Sequence, residues 1–222
     1  MADVDTGARR PLEAAHDPYF VQRVPVHAEL ARVPRLEVFR RILAGRRVLH
    51  VGCADWPITD VRSNLHVQLD PVCARLDGVD PHAQATAAIR PFVRGELYTS
   101  LREVSASYDV VLVPEVLEHV GNPEGFLAEL DAIDAPEVLI TVPDAYSCRG
   151  FFDYLPGEKT FVEVVHPDHN CWFTPYTLVN TIRKYTPWTV ESVWFINAIS
   201  LMAVASRRAR RDPPRDLGPF GQ

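Results

Sequence analysis

Residues 108–120, YDVVLVPEVLEHV, decide the fold. Val110, Val111, Leu112 and Val113 are four consecutive apolar residues that stop at Pro114-Glu115. A short uninterrupted apolar run is the pattern of a strand covered on both faces. The next stretch, GNPEGFLAELDAI (121–133), places Phe126, Leu127, Leu130 and Ile133 at helical spacing. EVLITVPD (137–144) then reads as a second buried strand. Upstream, RRVLHVGC (46–53) carries Val48, Leu49 and Val51 into Gly52, ARLDGVDPH (74–82) ends at Asp80-Pro81, and PFVRGEL (91–97) is a shorter, weaker strand. Strands alternating with helices indicate an α/β domain, with a parallel sheet between helices on both faces.

The flanks extend this frame. Leu36, Val38, Phe39, Ile42 and Leu43 form one helical face that stops at Gly45. ITDVRSNLHVQL (58–69) reads as the helix before the second strand. TPYTLVNTIRKY (174–185) reads as a helix with Thr174 as N-cap and Pro175 at its first position. WTVESVWFIN (188–197) and SLMAVASR (200–207) read as two joined strands. Residues 146–172 have no clean period and are rich in aromatic and histidine residues. Residues 1–18 and 207–222 are polar or proline-rich and are expected to be disordered, leaving one domain over 19–206.

The 222 residues are 47% apolar and 23% charged, with a net charge of -6. That balance argues against nucleic acid as a partner, since phosphate binding needs a basic face. Four cysteines lack any CxxC spacing, the N-terminus does not read as a signal peptide, and no run approaches the ~18 apolar residues of a membrane span. A cytoplasmic protein with free thiols and no membrane partner is expected. Nothing in the chain indicates its oligomeric state.

Ligands of open parallel sheets bind beyond the carboxyl ends of the strands. Those positions hold Gly52, Cys53 and Asp55 after the first strand, Asp80-Pro81 after the second, Glu96-Leu97 after the third, and Pro114-Glu115 after the fourth. A glycine permits close backbone approach, an acidic residue can accept both hydroxyls of a ribose, and Glu96-Leu97 offers an acceptor and an apolar surface to a purine. Together they suggest an adenosine ligand. Asp70-Pro71 rivals Asp80, but ARLDGVDPH is the better strand. A dinucleotide site is disfavoured, because Ala54 and Pro57 occupy the later glycine positions of GxGxxG, and no P-loop is present.

Four segments carry a family resemblance. VLHVGCADW (48–56) resembles the first motif, VLDxGCGxG, of class I S-adenosylmethionine-dependent methyltransferases. YDVVLVPEVLEHVGNPEGFLAEL (108–130) resembles the fourth-strand segment of their small-molecule, type 11-like branch. EVLITVPD matches the fifth strand, and HPDHNCWFTPYTLVNTI (166–182) resembles the branch's HPxHxxxFSPxTL segment. The resemblance spans residues 36–206 and implies a Rossmann-like, seven-stranded, mostly parallel sheet with a reversed C-terminal strand.

It also implies S-adenosylmethionine as cofactor and methyl transfer to a small-molecule acceptor, preferably a hydroxyl of a sugar or secondary metabolite. His50 stands where the family has an acidic residue, and Ala54 and Trp56 stand at its glycines; Asp55 is the candidate carboxylate for the ligand's ammonium group. His50, Gly52, Cys53, Asp55, Asp80, Pro81, Glu96, Leu97 and Pro114 are thus the candidate cofactor residues. His119 is the candidate general base, since its ordinary pKa of ~6.5 suits proton transfer near neutrality. Glu115 lies four residues earlier, on the same face if the stretch is helical. His166 and His169 border the implied substrate pocket. With Asp168 they make HxDH, which is not a familiar ligand spacing, so no metal is expected. Phe151, Phe152, Tyr154 and Phe161 are expected to form a lid, and Tyr19 and Phe20 either cover the cofactor or join the core. The rival readings are a cofactor-binding protein without turnover and an enzyme using the cofactor for other chemistry, such as cyclisation. A nicotinamide oxidoreductase is disfavoured by Ala54 and Pro57.

Overall fold

A computed structural model describes residues 22–56, 60–147 and 152–207. The expected disordered ends (apart from Arg207), Tyr19, Phe20 and Phe151 lie outside those residues.

Seven strands form one sheet: β1 (Arg47–Val51), β2 (Arg75–Val79), β3 (Leu97–Tyr98), β4 (Val110–Pro114), β5 (Glu137–Pro143), β8 (Thr189–Ile196) and β9 (Ser200–Ser206). Their order is β3-β2-β1-β4-β5-β9-β8. Strands β1 to β5 pair in parallel, while β9 runs antiparallel to both β5 and β8. β9 is therefore the reversed strand. The β8–β9 connection turns at Asn197 and Ala198, both left-handed, with φ of 53° and 63°.

The uninterrupted apolar run of β4 divides between two cores, as strand geometry demands. Val110 and Leu112 face Val48, Leu76, Leu139 and Met202, together with Val38, Phe39, Ile42 and Leu43 of α1 (Arg35–Leu43) and Leu65 and Leu69 of α2 (Leu65–Leu69). Val111 and Val113 face Leu49, Val138, Ile140 and Leu201, together with Leu127 and Leu130 of α4 (Pro123–Asp131) and Leu178 and Ile182 of α5 (Pro175–Tyr185). The remaining helix, α3 (Ala83–Ile89), follows β2. At about 1.5–3 kcal/mol for each fully buried side chain, these two layers are the main favourable term. Thr174 caps α5 in a reciprocal box with Thr177, and Asn122 caps α4 through the Gly125 amide.

Several expectations need correction. Within the described part of 58–69, residues 60–69, only Leu65–Leu69 is helical, because Asn64 caps it by accepting from the Val67 amide and so sets its start. The third strand is Leu97–Tyr98; Pro91 and Phe92, read as its beginning, lie in a short 3-10 turn, Arg90–Phe92. Residues 146–172 contain a hairpin, β6 (Phe152–Leu155) paired antiparallel with β7 (Thr160–Glu163). Arg207 is not a solvated tail residue, since its guanidinium donates to the carbonyls of Leu130, Asp131 and Ile133 at the end of α4. Among the described residues, no helix is long and apolar enough to cross a membrane.

Gly95 lies where β3 approaches β2. A Cβ there would fall 1.8 Å from the Leu76 carbonyl oxygen, whereas a Cβ on Gly121 would meet nothing within 4 Å. Gly95→Ala should therefore lower stability by about 2–3 kcal/mol, an overpacking cost against backbone that cannot rotate away. Gly121→Ala should stay within about 0.5 kcal/mol of the parent. Urea midpoints of the two variants check this.

Candidate functional site

The chain leaves β1 toward β2 on one side and leaves β4 toward β5 on the other. The loops beyond the carboxyl ends of β1 and β4 therefore diverge and leave a crevice between them.

The loop after β1 begins at Gly52, with φ +79°. Its amide donates to the Val79 carbonyl at 2.8 Å, and a Cβ would fall 2.5 Å from Val116 Cγ2. Only glycine lets the backbone turn under Val116 here. Cys53 is fully buried and Ala54 donates its amide to Asp80 Oδ2 at 3.0 Å. Asp80 closes β2 at 4% exposure, and its Oδ1 accepts from the His82 amide at 2.9 Å. Pro81 beside it is exposed. The rival Asp70 lies at the end of α2, held by Arg94 at 2.8 Å, so Asp80 is the strand-end carboxylate. Asp55 is left-handed, at φ 56°. Burial raises its carboxyl, Arg35 opposes this and Asp80 reinforces it. Trp56 is exposed and stacks on His82, with ring centroids 6.2 Å apart.

Glu96 precedes β3 and does not stand at its carboxyl end. It is exposed and lies 3.8 Å from Arg90. Leu97 begins the strand, and the residues level with Asp80 are Tyr98, whose carbonyl accepts the Asp80 amide at 3.1 Å, and Thr99. His50 does not open onto the crevice. It is 1% exposed, with Nδ1 3.1 Å from Nδ1 of the buried His66. One ring must donate to the other, so one proton lies between the two Nδ1 atoms. Burial, then His66, then Arg35 depress His50 well below its ordinary value, and burial takes His66 down to about 4.

Pro114, the last residue of β4, is buried, and Glu115 beyond it is left-handed at φ 53°. Glu115 is not part of a helix, so the four-residue spacing to His119 does not place them on one face. Its Oε1 accepts from Thr141 Oγ1 at 2.8 Å and lies 3.9 Å from Arg35 Nη1. Burial raises the Glu115 carboxyl, while Arg35 and hydrogen bonds from Thr141 and Ser200 oppose it. Arg35 was absent from the sequence reading. The one available signal was its place in the first turn of α1, where a cation works against the helix dipole.

His119 ends a 3-10 turn, Leu117–His119. The HPDHN segment docks on this turn: the Asn170 amide donates to the Glu118 carbonyl at 2.8 Å, and Asn170 Nδ2 donates to the His119 carbonyl at 2.7 Å. The docking brings His119 to His166 and His169, at centroid distances of 5.0 and 4.5 Å. Burial first and His166 second hold His119 below its ordinary value, and burial takes His169 down to about 4. Trp172 stacks edge-on to His169 and donates to Glu163 of β7 at 2.7 Å, which ties the hairpin to the site. Phe152 packs near Phe161 and Trp172, whereas Tyr154 and Phe161 remain over half exposed.

The donor set fits an adenosine-bearing amino acid: a buried carboxylate at a strand end, a backbone turn no side chain can fill, and one guanidinium among carboxylates. No family model matches the chain. A ubiquinone biosynthesis O-methyltransferase from Shewanella halifaxensis is 25% identical over 147 residues, covering 63% of this chain and 62% of that protein. The chain thus spans less than two thirds of that relative. The solved structure of an S-adenosylmethionine-dependent methyltransferase from Aquifex aeolicus matches with a TM-score of 0.53 and 12% identity, over 79% of this chain and 89% of its own. A protein assigned as a type 11 methyltransferase, from Sulfolobus solfataricus, matches at 0.51 and 11%, over 75% and 86%. The chain shares their fold.

The His50–His66 pair has a pH signature. Both rings are neutral in the folded protein and take up protons in the unfolded chain below about 6.5, so stability falls as pH drops from 6.5 toward 4. Each contributes a slope of up to about 1.4 kcal/mol per pH unit. Urea unfolding across this window should show a shallower acid loss in His50→Leu/His66→Leu than in the parent.

Proposed function

We propose that this chain, which carries the fold of the class I methyltransferases, is an S-adenosylmethionine-dependent enzyme that methylates a hydroxyl of a small molecule in the cytosol. The observation that carries the reading is the crevice at the carboxyl ends of β1 and β4, flanked by Gly52 after β1, the buried Asp80 after β2 and Arg35 beside Glu115 after β4. When bound, S-adenosylmethionine supplies a methyl group on a positively charged sulfur, open to in-line attack.

The chain's own residues then have assigned work. Asp80 accepts from the ribose hydroxyls, and the Gly52–Asp55 backbone lies along the ligand. Arg35 pairs with the amino-acid carboxylate, and Asp55 and Glu115 meet the ammonium group. Tyr98 and Thr99 take the purine-side position first given to Glu96 and Leu97. His119, neutral and half-buried, accepts the proton of the acceptor hydroxyl, and His166, His169 and the β6–β7 hairpin border the acceptor. Alignment supplies most of the rate enhancement and the base a smaller part. The oxygen acceptor is supported by the O-methyltransferase relative; a sugar or secondary metabolite is the preferred class.

Calorimetric titration with S-adenosylmethionine and its demethylated product, with NAD as control, tests the reading. Saturable binding of the first two alone is expected, weakened about 10–100-fold by Asp80→Ala and by Arg35→Met, as loss of a charged hydrogen bond of about 1.5–3 kcal/mol requires. His119→Ala should lower turnover about 10²–10⁴-fold while retaining the cofactor. Absence of binding by either compound overturns the proposal, and binding without turnover on any hydroxyl acceptor favours a non-catalytic binder.

A further inference from the structure

Glu118 is 1% exposed, and neither of its carboxylate oxygens has a hydrogen-bond partner among the described residues. A buried carboxyl without donors is costly in either protonation state. His169 Nδ1 is likewise buried without a partner, and His169 Nε2 lies 4.0 Å from Glu118 Oε1. His119 completes the group: one ligand atom from each of Glu118, His119 and His169 lies within 4.8 Å of the others. The two segments that supply them are held in register by the Asn170 bonds to the carbonyls of Glu118 and His119.

We propose that Glu118, His119 and His169 bind a divalent first-row transition ion of the zinc class. Two imidazoles and a carboxylate suit such an ion, whereas an all-oxygen shell would suit magnesium. Three protein ligands leave a fourth position open. Tetrahedral donors with bonds of about 2.0–2.1 Å stand about 3.4 Å apart. The gap between Glu118 Oε1 and His169 Nε2 is 4.0 Å, somewhat wider, and would narrow on binding. A second triad, His119, His166 and Asp168, shares His119. Its members are better served already: Asp168 is exposed, and His166 Nδ1 accepts from the Asp168 amide at 3.2 Å. HxDH alone gave no reason to expect a metal; the fold adds Glu118 and His119 from another segment. Only the use of the ion rests on the methyltransferase reading: in the metal-loaded chain His119 is a ligand and no longer the base, and a hydroxyl on the open position would lose its proton to solvent more readily. Binding itself does not depend on it.

The full chain, stripped with a chelator, should take up a single equivalent of Co2+ with visible d–d absorption, displaced by Zn2+. His169→Ala and Glu118→Gln should each weaken uptake at least about tenfold, since even outer-shell losses cost about 10–100-fold. His82→Ala should leave uptake unchanged. In the unmutated chain, long-range 1H–15N spectra should show Zn2+ shifting the rings of His119 and His169. No uptake, uptake indifferent to both ligand substitutions, or ring shifts confined to other histidines would overturn the proposal. None of these readouts needs turnover, so failure of cofactor binding would leave the metal result standing, and the reverse.

Discussion

The burial of β4 on both faces is the constraint on which the site depends. All five of its residues are inaccessible, clamped between β1 and β5 in parallel register. A strand so enclosed cannot turn back within the sheet, so the chain must leave past its carboxyl end. Pro114 ends the ladder, Glu115 adopts a left-handed backbone and Leu117–His119 winds one tight turn. Strain of this kind, about 1–3 kcal/mol for a non-glycine residue, persists only where the surroundings enforce it. Here Thr141 on the adjoining strand holds the Glu115 carboxylate in place.

A second consequence is electrostatic. The carboxyl ends of β1, β2 and β4 bring together Asp55, Asp80, Glu115 and Glu118, and Arg35 is the cation that approaches Glu115. Burial pushes the Glu118 carboxyl up to about 9, with Glu115 adding to it. Two relief mechanisms follow from the proposals above: a ligand carrying ammonium and sulfonium charge in the crevice, and a divalent ion beside Glu118.

The strands were legible because buried strands write themselves as apolar runs, and the crevice because it lies where those runs stop. Gly52 and Asp80 follow from that logic directly. Glu96 did not, since a two-residue strand leaves too weak a pattern to locate its end. The β6–β7 hairpin was missed because its residues, Thr160–Glu163 above all, are exposed and carry no alternation to read. His50 looked like a site residue by position in its motif; its side chain instead meets His66, from a helix whose start is set by the Asn64 cap.

The main strands, the two-layer burial and the strand ends at which a ligand is expected were determined by local apolar pattern, because burial of both faces leaves a strand no other way to be written; the order of the strands in the sheet was not. The company of each polar residue was decided by tertiary structure alone. Arg35 reaches Glu115 across 80 residues of chain, and Glu118 meets His169 only because Asn170 docks one loop on another. Such pairs carry no periodicity, since their geometry comes from the packing of the elements that hold them.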